Sequence, residues 1–397
     1  MDRRVWIPVA IGVIGVGAVV GVMVSGRGGS NAGGSAPRAN TAAPSTAQSA
    51  AKASLTELAR MLEQNDATAL AAIADRSQTA QDAARVALTD AEGAEWVEVA
   101  KALRTSYSRL SSADGRATAA AISTRILEKF AVDPAPASWI AAFPPVRDIL
   151  LSAVIDQEPN VRAFALGEVA KLWSWAPART PLPVEEQQLA EWKDSMAAPV
   201  VRRLGDAEAK VRVAAVACLG LNPIHSVAER ALPHVEDRNG DVRHQVLASF
   251  GARPNLLGDE AVLQRLHDSE PGIPQLAEIV LKARGLNRDQ IFLGRMITSP
   301  QPEQRASVIP MLRGRADLDP VVWLVRLSSD ADESVRVKAV AALGEQDTPE
   351  SRRRLREVAT TDKSASVREA AEKLVAAMTT ASLPPLPGSP RLNPRAN

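Results

Sequence analysis

Four histidines and one cysteine are the residues best suited to nucleophilic, proton-transfer or zinc chemistry. His225, His234, His244 and His267 fall within 43 residues. No pair has the i, i+4 spacing that sets two ligands on one helical face, and neither HExxH nor CxxC occurs. His244 is expected at an exposed helix edge with His234 on the preceding helix, but a metal site needs three converging ligands and none is evident. Cys218, the single cysteine, excludes an intrachain disulfide and falls at a core-type position, where a free thiol acts as a small hydrophobe. There is no glycine-rich phosphate loop and no Gly-x-Ser-x-Gly. The paired carboxylates Glu185-Glu186 and Asp259-Glu260 sit in first helical turns, where they complement the helix dipole. The inventory predicts no catalytic, cofactor-binding or metal residue, no cofactor, and a protein that is not an enzyme.

Tryptophan is the other residue type that draws notice. Of seven in the chain, Trp173, Trp175 and Trp192 crowd into KLWSWAPARTPLPVEEQQLAEWKDSM. Trp is over-used at interface hot spots, which makes these three the candidate partner-binding residues. The competing reading is a plug that fills a gap between helices, and it fits the general burial of Trp better.

The elements that must position these residues are helices. Ala, Leu, Arg and Glu dominate, aromatic residues make up 3%, and alternating strand patterns are nearly absent. Segments containing Val161-Arg162, Val211-Arg212, Val242-Arg243, Val335-Arg336 and Val367-Arg368 align. The step from 211 to 242 is 31 residues, and 242 to 335 is three times that. Degenerate copies fall between, at Ile273-Pro274 and Gln304-Arg305, with weaker echoes at Ala80-Gln81 and Gly115-Arg116. Counting from the Val, apolar residues recur at positions 0, 4, 5 and 8 (Val242, Val246, Leu247 and Phe250), one stripe along a helix. A shorter apolar segment precedes each copy, so each unit is helix, turn, helix, and stacking is needed to bury both faces.

An aspartate lies six residues before the arginine in five copies: Asp156/Arg162, Asp206/Arg212, Asp237/Arg243, Asp330/Arg336 and Asp362/Arg368. A turn carboxylate at a helix start can cap it and accept a guanidinium bond from a neighbour, which predicts a structural ladder rather than a binding stripe.

The D-x4-VR-x2-A-x3-LG pattern at this period resembles the short HEAT-like repeats of the phycobilisome lyase type; ordinary HEAT units are longer, at about 40–47 residues. It matches residues 150–380 well and 52–150 poorly. The resemblance implies an all-α, right-handed α-solenoid of about nine two-helix units, used as a protein-binding scaffold. Some relatives of that type attach or remove tetrapyrroles, so a tetrapyrrole-binding or lyase-like enzyme is the alternative. A nucleic-acid-binding solenoid is the third reading, but 47 basic residues against 46 acidic ones offer no phosphate-neutralising excess, and nucleic acid is not expected. The partner's identity is not readable.

The chain ends predict further segments. Residues 5–24 form an apolar run of 20, about 30 Å as a helix, which predicts a transmembrane helix within residues 1–25. Arg3 and Arg4 before it predict a cytoplasmic tip, hence a single-pass protein of a bacterial inner membrane with its repeats on the outer side. Gly17 and Gly21 form a GxxxG pair that would let two such spans dimerise. Residues 26–51 read as a disordered Gly/Ser/Ala/Pro linker and 382–397 as a Pro-rich disordered tail. Between them lie irregular helical repeats at 52–150 and a regular solenoid at 151–381 with an insertion at 173–192.

Overall fold

The computed structural model describes residues 50–51, 53–82, 88–132, 136–178, 180–313 and 319–381. Every regular element among them is helical. Helices pair in chain order into nine helix–turn–helix units among the described residues. Unit 1 is α1 (Leu55–Glu63) and α2 (Ala67–Asp82); unit 2 is α3 (Asp90–Ser106) and α4 (Ala113–Lys129); unit 3 is α5 (Trp139–Val154) and α6 (Pro159–Ser174). Unit 4 joins α7 (Pro183–Ser195), the short α8 (Ala197–Arg202) and α9 (Ala209–Gly220); unit 5 joins α10 (His225–Ala228) through a 3-10 segment (Glu229–Glu236) to α11 (Gly240–Phe250). Unit 6 is α12 (Asp259–Gln264) and α13 (Gly272–Ala283), and unit 7 is α14 (Arg288–Ile297) and α15 (Pro302–Met311). Unit 8 is α16 (Pro320–Leu327) and α17 (Glu333–Gln346), and unit 9 is α18 (Pro349–Thr361) and α19 (Ala365–Ala381).

Local sequence explains where these helices begin. Ser54 with Glu57 and Thr89 with Glu92 form capping boxes, and Asn239 and Asp332 accept backbone N–H groups at their own helix starts. Proline opens α6, α7, α15, α16 and α18, where its missing N–H has no intrahelical use. The stripe at Val242, Val246, Leu247 and Phe250 is buried, and the second helix of one unit packs on the second helix of the next. Gly251 shows why the repeat pattern closes on glycine. A Cβ there would lie 2.7 Å from Val280 of the following unit, so any side chain would push the two helices apart. The result is an α-solenoid, a class in which each unit contacts mainly its neighbours.

The membrane expectation needs correction. No helix among the described residues is long and apolar enough to cross a membrane. Helices α3 and α4, at 17 residues each, reach only about 26 Å against a hydrocarbon core of about 30 Å, and both carry charged side chains. The single-pass localisation is therefore withdrawn. The run at 5–24 on which it rested, the Gly17/Gly21 pair, residues 26–49 of the expected linker and the tail 382–397 all lie outside the described residues.

Candidate functional site: the interunit ladder and the second-helix face

The aspartates and arginines of the repeat pattern meet between units. Arg212 of α9 sends Nε to Asp237 Oδ2 and Nη2 to Oδ1, both at 2.8 Å, while its Nη1 donates to the Asp206 carbonyl at 3.0 Å. The sequence pair six residues apart thus touches only through the aspartate's backbone oxygen, and the carboxylate grips the arginine of the preceding unit. The same bidentate pair joins Arg162 to Asp206, Arg243 to Asp268, Arg305 to Asp330 and Arg336 to Asp362. Arg116 to Asp156 extends it toward the N-terminus, with Tyr107 donating its hydroxyl to the same carboxylate. Arg368, the last ladder arginine among the described residues, keeps the tie to its own Asp362 carbonyl at 2.6 Å.

Each carboxylate also accepts a backbone N–H two residues on, as Asp237 does from Asn239 at 2.9 Å, so one group caps its own turn and ties it to the preceding unit. Three ladder members escape a search for the within-unit pair: Arg116, Asp268 and Arg305. Their six-residue partners are Leu110, Pro274 and Ser299, so only the interunit spacing of 25 residues for Arg243–Asp268 and Arg305–Asp330 would find the last two.

The ladder's electrostatics follow from this geometry. Burial alone would raise the Asp237 carboxyl, but hydrogen bonds from Arg212, the Asn239 N–H and His234 outweigh it and hold the pKa at about 2. Asp156, Asp206, Asp268, Asp330 and Asp362 are held below their ordinary value by the same balance. A carboxylate with a depressed folded pKa contributes stability that is present above its unfolded pKa of about 3.9 and is lost as pH falls through the folded value. Denaturant midpoints followed by circular dichroism are therefore expected to hold steady down to about pH 4 and to collapse between about pH 4 and 2. Replacing Asp237 by Asn should flatten that fall.

The tryptophans form a second constellation. Trp173 and Trp175 are buried, and their indole N–H groups donate to the backbone oxygens of Lys193 and Leu127 at 3.0 and 2.8 Å. Trp192 is half-buried and stacks on Phe143 with ring centroids 5.4 Å apart, while Trp175 packs on both Trp139 and Phe143 at 5.7 Å. Lys193 closes the cluster by donating to the Trp173 and Trp175 carbonyls. The three residues are thus brought together, with Trp139 and Phe143 of α5 as partners that the sequence alone did not single out.

The histidines do not converge. His234 faces Asp237 at 3.4 Å, His267 meets the Arg295 carbonyl at 2.8 Å, and His225 lies 3.8 Å from Glu229. Among the described residues no group of three or more metal-ligating side chains comes together. Cys218 is fully buried, and burial pushes its thiol pKa well up, away from the reactive thiolate.

The outer side of the second helices is different in kind. Ala217, Ala248, Ile279, Pro310 and Ala341 follow one another at 31-residue steps and occupy one position of their helices. All but the half-buried Ala217 are exposed, and the line carries no charge. Leu221 and Met311 add large exposed apolar side chains beside it.

An α-solenoid whose units are tied by buried Arg–Asp pairs defines a repeat domain. Residues 291–376 match the family model described as HEAT repeats. No curated protein matches the chain. Among solved structures, an engineered protein is 15% identical with a TM-score of 0.30, covering 82% of this chain and 98% of its own. A designed armadillo repeat protein in complex with the peptide (KR)4 is also 15% identical, with a TM-score of 0.25 over 58% of this chain and 98% of its own.

Proposed function

We propose that this protein is a non-catalytic scaffold that docks a protein partner along the second-helix face. The observation that carries the reading is the uncharged line through Ala248, Ile279, Pro310 and Ala341, held in register by the repeat period and exposed along its length. Ladder aspartates and arginines are engaged with one another, which leaves them unsuited to acid–base work. Small side chains on that line let a partner's backbone approach closely, and Ile279, 62% exposed, supplies an apolar anchor. A photoreactive amino acid placed in the full chain at Ala248 is expected to give discrete protein adducts in cells. The same group at Val322, exposed on a first helix, should give none. Ile279→Lys should abolish the Ala248 adducts; adducts from Val322 alone would overturn the reading, and a visible absorbance band in the purified protein would favour a tetrapyrrole ligand instead.

A further inference from the structure

We propose that the stack is jointed between its sixth and seventh units, so that units 1–6 and units 7–9 move as two bodies about α14. The ladder loses both halves of one rung at that point. Pro274 stands where the repeat places its arginine, and Ser299 stands where the next unit places its aspartate, its hydroxyl turned to Gln301 and Gln304. A shallow surface depression of about 620 Å³ runs from Asp237 and Arg243 of the intact rung before it to Thr298 and Pro300 beside the missing one.

The face that unit 6 turns toward unit 7 carries a charge at one of its core positions. Position 5 of the second helix is a buried apolar residue in units 3, 4, 5, 7 and 8, where it is Leu166, Val216, Leu247, Ile309 and Val340. It is Glu278 in unit 6 and Glu372 in unit 9, the last described unit. Terminal units of a solenoid carry polar outer faces because nothing stacks on them. At this one position unit 6 places a carboxylate where its stacked neighbours place a buried apolar side chain.

The hydrophobic core divides at the same place. One cluster runs from Ala50 to Ile291, and a second begins at Leu293 and runs to Ala371. Packing between successive second helices is thinnest between α13 and α15. Helix α14 belongs to both cores, with Ile291 in the first and Leu293 and Ile297 in the second. It also makes the closest approach across the joint. A Cβ at Gly294 would fall 2.3 Å from Leu263, so this side is a tight pivot and the second-helix side is the one that opens.

Two exposed ion pairs strap the joint. Glu278 of α13, held at 2.7 Å by Lys282 of its own helix, also meets Arg295 of α14 at 3.5 Å, and Arg326 of α16 reaches over unit 7 to Glu260 of α12. Their side chains are 38–45% exposed, so salt screens them, unlike the buried rungs elsewhere. The joint falls between Ile279 and Pro310 of the docking line, so its angle sets the relation between the two halves of that face.

Spin-label distances in the full chain test this directly. Cysteines replacing Ala248 and Ala341 span the joint, and cysteines replacing Gly167 and Ala248 span a continuous stretch; all three sites are exposed, while Cys218 is buried. The joint-spanning distribution is expected to be about twofold broader than the control and to shift when salt rises from about 50 mM to about 1 M, with the control unchanged. Pro274→Arg with Ser299→Asp and Glu278→Leu restores the rung and the apolar contact, and should narrow the distribution to the control's width. A joint-spanning distribution as narrow and as salt-insensitive as the control would overturn the proposal. So would a broad one that the repaired variant leaves unchanged. Should that variant fail to fold, the comparison of the two label pairs in the otherwise unaltered chain decides alone.

Discussion

Arg212→Ala is expected to lower the unfolding free energy by about 3–5 kcal/mol, because it strands a buried carboxylate. The side chains of Arg212 and Asp237 are only 6% and 8% exposed, and the arginine also satisfies the Asp206 and Ala207 carbonyls. Removing it leaves Asp237 without its bidentate partner and frees two acceptors in the turn before α9. Arg212→Lys keeps the charge but cannot reproduce the fork, so it should recover part of the loss and no more. Removing both partners with apolar residues should cost less than either single change, since most of the single-mutant penalty is the unpaired charge rather than the worth of the pair. Equilibrium urea unfolding of the parent, Arg212→Ala, Arg212→Lys, Asp237→Ala and the double variant measures all of this. A loss below about 1 kcal/mol for Arg212→Ala would show that the ladder is ornamental.

The exposed pair Arg313–Glu345 is the internal comparison. Its side chains are 64% and 52% exposed, so Arg313→Ala should change stability by about 1 kcal/mol or less. The contrast separates a rung from an ordinary surface ion pair. It also bears on cooperativity. Because each unit leans mainly on its neighbours, weakening the contact between units 4 and 5 should let the stack unfold in two steps where the parent unfolds in fewer.

The repeat stripe was legible because the helical period shows in a single unit: Val242, Val246, Leu247 and Phe250 mark a face without reference to any other segment. The ladder was half legible. Asp and Arg recur six residues apart, yet the carboxylate contact links residues of different units, 25 apart for Arg212 and Asp237, so the within-unit pattern names the right residue types and overlooks Asp268 and Arg305. The degenerate copies at 273 and 304 are plain in the alignment. That Pro274 and Ser299 are the two halves of one missing rung needs three dimensions. For the tryptophans, sequence crowding is compatible with a docking face or a plug, and only the burial of Trp173 and Trp175 with their donated N–H groups shows what the rings touch. The transmembrane expectation rested on residues 5–24 alone, and the repeat helices, amphipathic and no longer than 17 residues, offer no substitute.

Within the aromatic cluster Trp139 and Trp175 are expected to respond in opposite order to their burial. Trp139 is 0% exposed and Trp175 is 8% exposed, so area alone predicts the larger loss at Trp139. Their indole nitrogens reverse this for phenylalanine. The Trp175 N–H donates to Leu127 at 2.8 Å, whereas the Trp139 N–H is buried with no hydrogen-bond partner among the described residues. Trp175→Phe therefore loses a bond worth about 1 kcal/mol on top of the smaller ring, while Trp139→Phe removes an unsatisfied donor whose desolvation the fold already bears, at about 1–3 kcal/mol. Truncation to alanine erases the distinction, and each alanine variant should lose about 3–5 kcal/mol through the cavity left against Phe143 and its neighbours. Thermal and urea unfolding of the four variants measures both effects. Equal or larger damage from Trp139→Phe than from Trp175→Phe would mean that the buried Trp139 nitrogen has found a partner after all, with bound water the first place to look.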